Sequence, residues 1–524
     1  MNALLVLFGG NMSGKAFEPV SDGKNSLALS LERGKKFPGV GKTAFFAPPL
    51  GDFSYLQDIH IVQRDIWTQR TLLEKIAELQ AGFDCAYFVF ADCPFLDPAL
   101  AGALVERHMR YAAEYSYADG WPYGLAPEIL SRGTAGILAK IIGEDDGPVE
   151  RDMLFSVIQK DINAFDIETE ISPVDLRCHR ISLCADSKRN MFILKNFLTA
   201  NGGTIPDAEE VTRIVEEKPE ILRTLPGFYN IQVSGGCPQK CTFCPYSAFA
   251  FDGAAWRKDF MDCGRFESLL DNIIAFSGDA VISLSLWGEL SLHPEKMKLI
   301  EAVVSRDELA LVIETSGLGW MHEELEKCAG LSGLSKRDAG KNSPAPLSWI
   351  VSLDTTDPKE YAKLRSSGFA EANECAKKLL SLFPKDCYVQ AVRAAGAEDD
   401  IEKFYRYWEK TAPNGEKNII IQKYDDFCGA LEKKQASDIS PVIRKPCWHI
   451  MRDMPVLLDG TVPLCREDIS MLKETDGNSR ILGNVFTASL ETIWQNGERY
   501  YIEHCKKNYT GLCENCDEYY TFNF

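Results

Sequence analysis

Ser234-Gly235-Gly236-Cys237-Pro238-Gln239-Lys240-Cys241-Thr242-Phe243-Cys244-Pro245 follows an apolar, strand-like run at residues 228–233. Three cysteines spaced x3 then x2 can take three corners of an iron–sulfur cubane and leave one iron without a protein ligand, open to an exogenous chelator. The competing reading is a zinc loop, but zinc asks for four ligands, usually in paired Cys-x2-Cys units.

Beyond the loop, apolar runs at 280–286, 309–314, 349–353, 388–393 and 418–422 alternate with helical stretches such as 401–410. With 228–233 they predict six βα units. Polar residues close the runs: Trp287-Gly288-Glu289-Leu290-Ser291-Leu292-His293-Pro294 after the second, Thr315-Ser316-Gly317 after the third, Ser352-Leu353-Asp354 at the fourth. The carboxyl ends of barrel strands are where such folds gather their chemistry. Arg365, on the helix carrying Tyr361-Ala362-Lys363-Leu364-Arg365, offers a fork suited to a ligand carboxylate or to Asp354. His293, ahead of Pro294, reads as a helix-start or buried hydrogen-bonding residue rather than a catalytic one.

The Cys-x3-Cys-x2-Cys loop, with Phe243 before its third cysteine and Gly-Gly before its first, resembles the signature of radical S-adenosylmethionine (SAM) enzymes. The resemblance implies a [4Fe–4S] cluster on Cys237, Cys241 and Cys244, SAM chelating the fourth iron, and cleavage of SAM to a 5′-deoxyadenosyl radical. Gly288-Glu289 resembles the family's Gly-Gly-Glu-Pro motif, with Trp287 for its first glycine and Leu290 for its proline, and implies a site for the methionyl amine. By the same likeness Thr315 and Ser316 lie at the ribose and carboxylate of SAM, and Phe243 flanks adenine. Ser352, Asp354 and Arg365 follow the pattern of peptide-modifying members, Arg365 clamping the methionyl carboxylate. The implied fold over 228–430 is a partial, laterally open (β/α)6 barrel.

Farther along come Cys447, Cys465, Cys513 and Cys516. Residues 455–465 read as a hairpin whose Asp459-Gly460 turn leads to Cys465. Leu482-Gly483-Asn484-Val485 and Leu490-Glu491-Thr492-Ile493-Trp494 then precede Cys513-Glu514-Asn515-Cys516. This order resembles the SPASM/twitch region attached to radical SAM enzymes and implies a small C-terminal Fe–S domain over 431–524 holding a second, auxiliary [4Fe–4S] cluster. Residues 517–524 add no thiol, so four ligands make one closed cluster, or alternatively an all-thiolate zinc knot. Cys505, in an amphipathic helical run, reads as a buried thiol.

Residues 1–203 alternate strands, at Ala3–Phe8 and 86–90, with helical stretches at 72–79 and 98–115, predicting a parallel α/β sheet domain. Gly9-Gly10-Asn11-Met12-Ser13-Gly14-Lys15 could cradle a phosphate on backbone amides but lacks P-loop spacing. Phe90-Ala91-Asp92-Cys93-Pro94-Phe95-Leu96-Asp97-Pro98, Pro122-Tyr123-Gly124-Leu125-Ala126-Pro127-Glu128 and Leu183-Cys184-Ala185-Asp186 together resemble cytidylyltransferases that activate acidic sugars, in the nucleotide-sugar transferase fold. The likeness implies Mg²⁺ on Asp92 and a sugar near Gly124 and Glu128. That family's arginine-bearing opening loop is missing, and Asn190 stands where an aspartate is often found, so a degenerate nucleotidyltransferase-like domain kept for binding or scaffolding is expected. A linker is expected over 204–227, with a short acidic helix at Ala208–Glu217. The whole arrangement resembles spiro-SPASM proteins.

With 524 residues, 45% hydrophobic and 25% charged, the composition is that of a multidomain globular protein. The formal charge of −19 argues against a surface that tracks nucleic-acid phosphates. No apolar run long enough to span a bilayer and no basic-led signal segment appears, so a cytoplasmic protein with no membrane or nucleic-acid partner is expected. Seventeen cysteines without a secretion signal point to thiolate metal ligation rather than a disulfide framework. The expected function is hydrogen abstraction from a peptide, protein or carbohydrate, with electrons from a donor such as flavodoxin or ferredoxin. The rival is a nucleotide-sugar-binding or cytidylyltransferase protein with structural or sensory clusters. No general acid, base or radical-relay residue follows from the sequence.

Overall fold

The computed structural model describes residues 1–49, 51–143, 146–249, 259–334, 345–437, 439–469 and 480–521, which fall into two compact units, one from Met1 to Thr224 and one from Leu225 onward. In the first unit β1 (Ala3–Phe8), β2 (Val40–Ala47), β3 (His60–Gln63), β4 (Cys85–Phe90), β5 (Tyr115–Asp119), β6 (Glu128–Ser131) and β7 (Ile167–Ile171) form one sheet in the order β3-β2-β1-β4-β6-β5-β7. β1 and β4 are apolar and buried along their whole length, as central parallel strands covered on both faces must be. The α/β class is as expected, but the sheet is mixed, because β6 runs antiparallel to both β4 and β5. Residues 120–127, which join β5 to β6, contain no crossover helix, and a short connection of that kind can only reverse the chain.

The stretch read as a linker is packed into the first unit as far as Thr224. Its helix Ala208–Glu217 starts with a capping box between Asp207 and Glu210, and Ala208 N donates to Asp97 Oδ2 at 2.8 Å. Val211, Ile214 and Val215, at helical spacing, are buried. An acidic outer face disguised an amphipathic helix.

In the second unit β8 (Phe228–Ile231), β9 (Ala280–Ser283), β10 (Leu309–Thr315), β11 (Leu347–Ser352), β12 (Cys387–Arg393) and β13 (Ile419–Lys423) lie side by side in chain order, all parallel. These are the six predicted strands. A seventh, β14 (Asp453–Val456), pairs parallel with β8. The tail is therefore not folded apart as 431–524: Met454 and Val456 belong to the same core as Tyr229, Ile282, Leu311 and Trp349. The free edge of β8 gives this apolar run both a ladder and a surface to cover. The predicted hairpin is altered accordingly. Its turn forms, with Leu457 N donating to Thr461 O at 2.8 Å. Its first arm is β14, however, and its second, β15 (Thr461–Pro463), pairs antiparallel with β16 (Ile481–Asn484). Among the described residues no helix is long and apolar enough to cross a membrane.

Candidate functional site

β8 leads into the three-cysteine loop, which backbone bonds fasten along its length. Gly235 N donates to Asp259 O at 3.0 Å, and Thr242 N to Leu364 O at 2.9 Å. Lys240 N donates to Arg365 O at 3.4 Å, so loop amides satisfy the last carbonyls of the helix Pro358–Arg365, which would otherwise lack partners. Ser247 Oγ bonds the carbonyls of Cys241 and Cys244 at 2.6 and 3.0 Å. Cys237, Cys241 and Cys244 all line a cavity of about 270 Å³ beyond the carboxyl ends of the strands. Phe243, Gly288, Glu289, Thr315, Ser316, Ser352 and Arg365 line it too, so every residue predicted around SAM meets the three thiols there.

Glu289 is buried, with its Oε1 accepting from Thr315 Oγ1 at 2.7 Å and its Oε2 from Ser316 N at 2.8 Å. Burial pushes its pKa up, and the donors at Ser316 and Thr315 only partly offset this. A buried carboxylate already oriented by donors is a ready partner for an ammonium group. Glu289 N donates to Gly236 O at 2.8 Å, which draws the second strand's end against the cysteine loop. The approach is possible only without a side chain at 288, where a Cβ would stand 2.1 Å from Ser234 O. Gly288→Ala is therefore expected to cost about 1–3 kcal/mol or more and to displace the loop. Melting temperature and iron content should fall together; an unchanged iron content would show the contact to be dispensable.

Arg365 takes the internal pairing. Its Nη1 is ion-paired with Asp354, and its Nε donates to Gln239 Oε1 at 2.9 Å, with both charged side chains buried. Gln239 also donates to Tyr361 Oη at 2.6 Å. The guanidinium thus braces the cysteine loop through Gln239 and stands 5.7 Å from the centre of the Phe243 ring. A methionyl carboxylate clamp finds Nη1 and Nε already engaged. His293 is structural as read, with Nε2 3.0 Å from Met261 O and Nδ1 accepting from Glu295 N at 3.1 Å. Glu314 was missed. It is the one exposed side chain in the otherwise buried β10, and its Oε1 accepts from Ser352 Oγ at 3.0 Å and Gln390 Nε2 at 2.8 Å within the cavity. A carboxylate next to the end of an apolar parallel strand was the available signal.

Cys447, Cys465, Cys513 and Cys516 come together around a second, smaller cavity, and Cys428 lines it with them. Cys505 is not on that lining. A tetrahedral zinc site would hold its sulfurs about 3.8 Å apart, given a Zn–S bond of about 2.3 Å. The described acidic, cysteine and histidine groups whose ligand atoms gather within 4.8 Å are elsewhere, at Asp92, Cys93 and Cys184 and at Asp425, Asp517 and Glu518. Burial pushes the Cys447 and Cys465 thiols up, so a metal would bind them with release of protons. The two cavities share a wall. Asp425, Phe427 and Arg466 face the first, while Cys428, Cys465 and Glu467 face the second.

In the first unit the predicted Mg²⁺ ligand is already paired. Arg151 donates through Nη1 to Asp92 Oδ1 at 3.1 Å and through Nη2 to Asp92 Oδ2 at 2.7 Å and Asp186 Oδ2 at 2.9 Å. Its guanidinium also lies over the rings of Phe90 and Tyr123. A fixed cation thus occupies the place between the two carboxylates that a divalent ion would need. Asn190 Nδ2 holds Asp186 Oδ1 at 2.8 Å. Lys15, the cation offered by the opening loop, is tied to Glu18 at 2.6 Å, and the space above Gly10 is filled by Trp67, 2.4 Å from where a Cβ would be. Gly124, at φ +96°, packs against Leu183 O, while Glu128 accepts from Tyr115 Oη and burial lifts its pKa to about 7.

The family model of the SPASM iron–sulfur cluster-binding domain matches residues 447–517. The tail therefore carries a SPASM iron–sulfur cluster-binding domain, in the same compact unit as the three-cysteine loop at the strand ends. An uncharacterized protein of Treponema pallidum (strain Nichols) is 33% identical over 378 residues, 71% of this chain and 98% of that protein, and the chain belongs to its family. The chain is also similar to the solved structure of Streptococcus suis SuiB bound to precursor peptide SuiA, at 14% identity over 66% of this chain and 76% of that one, with a TM-score of 0.40. A cytidylyltransferase from Leptospira borgpetersenii serovar Hardjo-bovis (strain JB197) is similar at 15% identity over 42% of this chain and 95% of that one, with a TM-score of 0.36.

Proposed function

We propose that Cys237, Cys241 and Cys244 hold a [4Fe–4S] cluster whose open iron takes SAM, and that the enzyme abstracts a hydrogen atom from a peptide or carbohydrate. The observation that carries this reading is the convergence of the three thiols with Glu289, Thr315, Ser316, Ser352 and Phe243 on one cavity. When bound, the cluster and SAM supply a 5′-deoxyadenosyl radical, which takes the hydrogen. The chain's own residues bind and orient. Glu289 receives the methionyl amine, and Thr315 and Ser316 fix its carboxylate and the ribose side of the site. Arg365 stiffens the loop, and Phe243 offers adenine a face. Asn230, Ser283, Gln390 and Gln422 give the cavity a polar lining suited to the amide or hydroxyl groups that peptides and carbohydrates share.

Cys447, Cys465, Cys513 and Cys516 would hold an auxiliary [4Fe–4S] cluster, which would supply an electron acceptor or a binding point for the substrate, with a flavodoxin or ferredoxin as the reductant. Anaerobically reconstituted protein, reduced in the presence of SAM, should release 5′-deoxyadenosine. Absence of release would favour a nucleotide-sugar protein with structural clusters.

The first unit is read as a nucleotidyltransferase-like domain that binds or scaffolds, because Arg151 neutralises Asp92 and Asp186. Incubation with CTP, Mg²⁺ and a panel of acidic sugars is expected to give no pyrophosphate above background. Robust turnover that disappears in Asp92→Ala would overturn the scaffold reading.

A further inference from the structure

A [4Fe–4S] cubane uses four thiolates, and the second cavity has five. Cys428 lies outside the spacing that marks the other four, 19 positions ahead of Cys447, yet lines the same cavity. Within that cavity it has a thiol partner. The Cys428 and Cys516 thiols are joined by a side-chain hydrogen bond on the lining of that cavity. Cys513 Sγ accepts from Arg480 Nη1 at 3.5 Å.

The backbone is bent to bring Cys428 there. Phe427 and Cys428 are successive non-glycine residues in the left-handed region, at φ +51° and +57°, a conformation that costs L-residues energy and persists only where surrounding bonds enforce it. Those bonds are present: Phe427 N donates to Asp425 Oδ1 at 2.8 Å, Gly429 N to Asp426 Oδ1 at 2.9 Å, and Leu431 N to Asp426 O at 2.9 Å. A strained turn tied at three points holds one thiol beside another at the rim of a thiol-lined cavity.

We propose that Cys428 is an interchangeable ligand for the corner of the auxiliary cluster assigned to Cys516, so that either thiol can hold that iron while the other stands free. The inference rests on the reading of the tail as a cluster site. Exchange needs no redox change: one iron–sulfur bond breaks as the other forms, and the proton passes from the incoming thiol to the outgoing thiolate.

Iron and sulfide are measured in anaerobically purified wild type, Cys428→Ala, Cys516→Ala and the double variant. The two single variants should keep close to eight irons per chain, and the double variant should fall to about four, as two cubanes and one require. Eight irons in the wild type but about four in Cys516→Ala overturns the exchange, as does retention of eight in the double variant. About four in the wild type overturns the auxiliary cluster itself, and the exchange with it. A second measurement needs no variant. Brief alkylation of the iron-loaded wild type, followed by peptide mapping, should find label divided between Cys428 and Cys516, one per chain; label confined to Cys428 would mean a fixed ligand set.

Discussion

Cys241→Ala is expected to reduce SAM cleavage to background while the auxiliary cluster's absorption remains. Of the three thiols in the loop, Cys241 is the one most enclosed by its surroundings, only 8% exposed, and its carbonyl is held by Ser247. Burial pushes its pKa up to about 12, with Arg365 acting in the opposite sense. Such a thiol gives up its proton to a metal and not to water at neutral pH, so its place in the loop makes chemical sense as a ligand. Without it two corners remain, too few to hold a cubane with one iron left open for SAM. The readout is 5′-deoxyadenosine after anaerobic reconstitution and reduction. Cleavage at the wild-type rate would mean that the loop is not the SAM site, whatever the other residues around the cavity do.

Much of this site was legible because its determinants are local or periodic. Cys237, Cys241 and Cys244 sit within eight residues. The strands of the second unit are continuous apolar runs because parallel strands are covered on both faces, and Glu289, Thr315 and Ser352 mark their ends. What was not legible is long-range. Nothing near Arg151 says that its guanidinium crosses to Asp92, and nothing in Met454 or Val456 says that their partner is β8, more than two hundred positions earlier. Cys428 belongs to no spacing pattern, and only the fold brings it to the other four thiols. Arg365 could be read two ways from sequence because a guanidinium serves a ligand carboxylate and Asp354 equally well, and only their positions decide.

Cys447→Ala/Cys513→Ala is expected to remove the auxiliary cluster. These two thiols have separate places on the lining, Cys447 at the start of the helix Trp448–Arg452 and Cys513 in the turn Gly511–Cys513. Cys428 lies against Cys516 and not against either of them, so the fifth thiol cannot replace what is lost. Iron analysis should fall from close to eight atoms per chain to about four, with matching loss of sulfide, as expected for the removal of one of two cubanes. The remaining iron should still carry the electron paramagnetic signal that SAM perturbs, because Cys237, Cys241 and Cys244 line a different cavity. The zinc alternative makes a distinct prediction: the wild type would hold about four irons with stoichiometric zinc, and the double variant would lose zinc alone. That outcome would refute the auxiliary cluster and leave the three-cysteine site standing. A variant that keeps eight irons would instead place the second cluster on other residues, against the convergence of these thiols on one cavity.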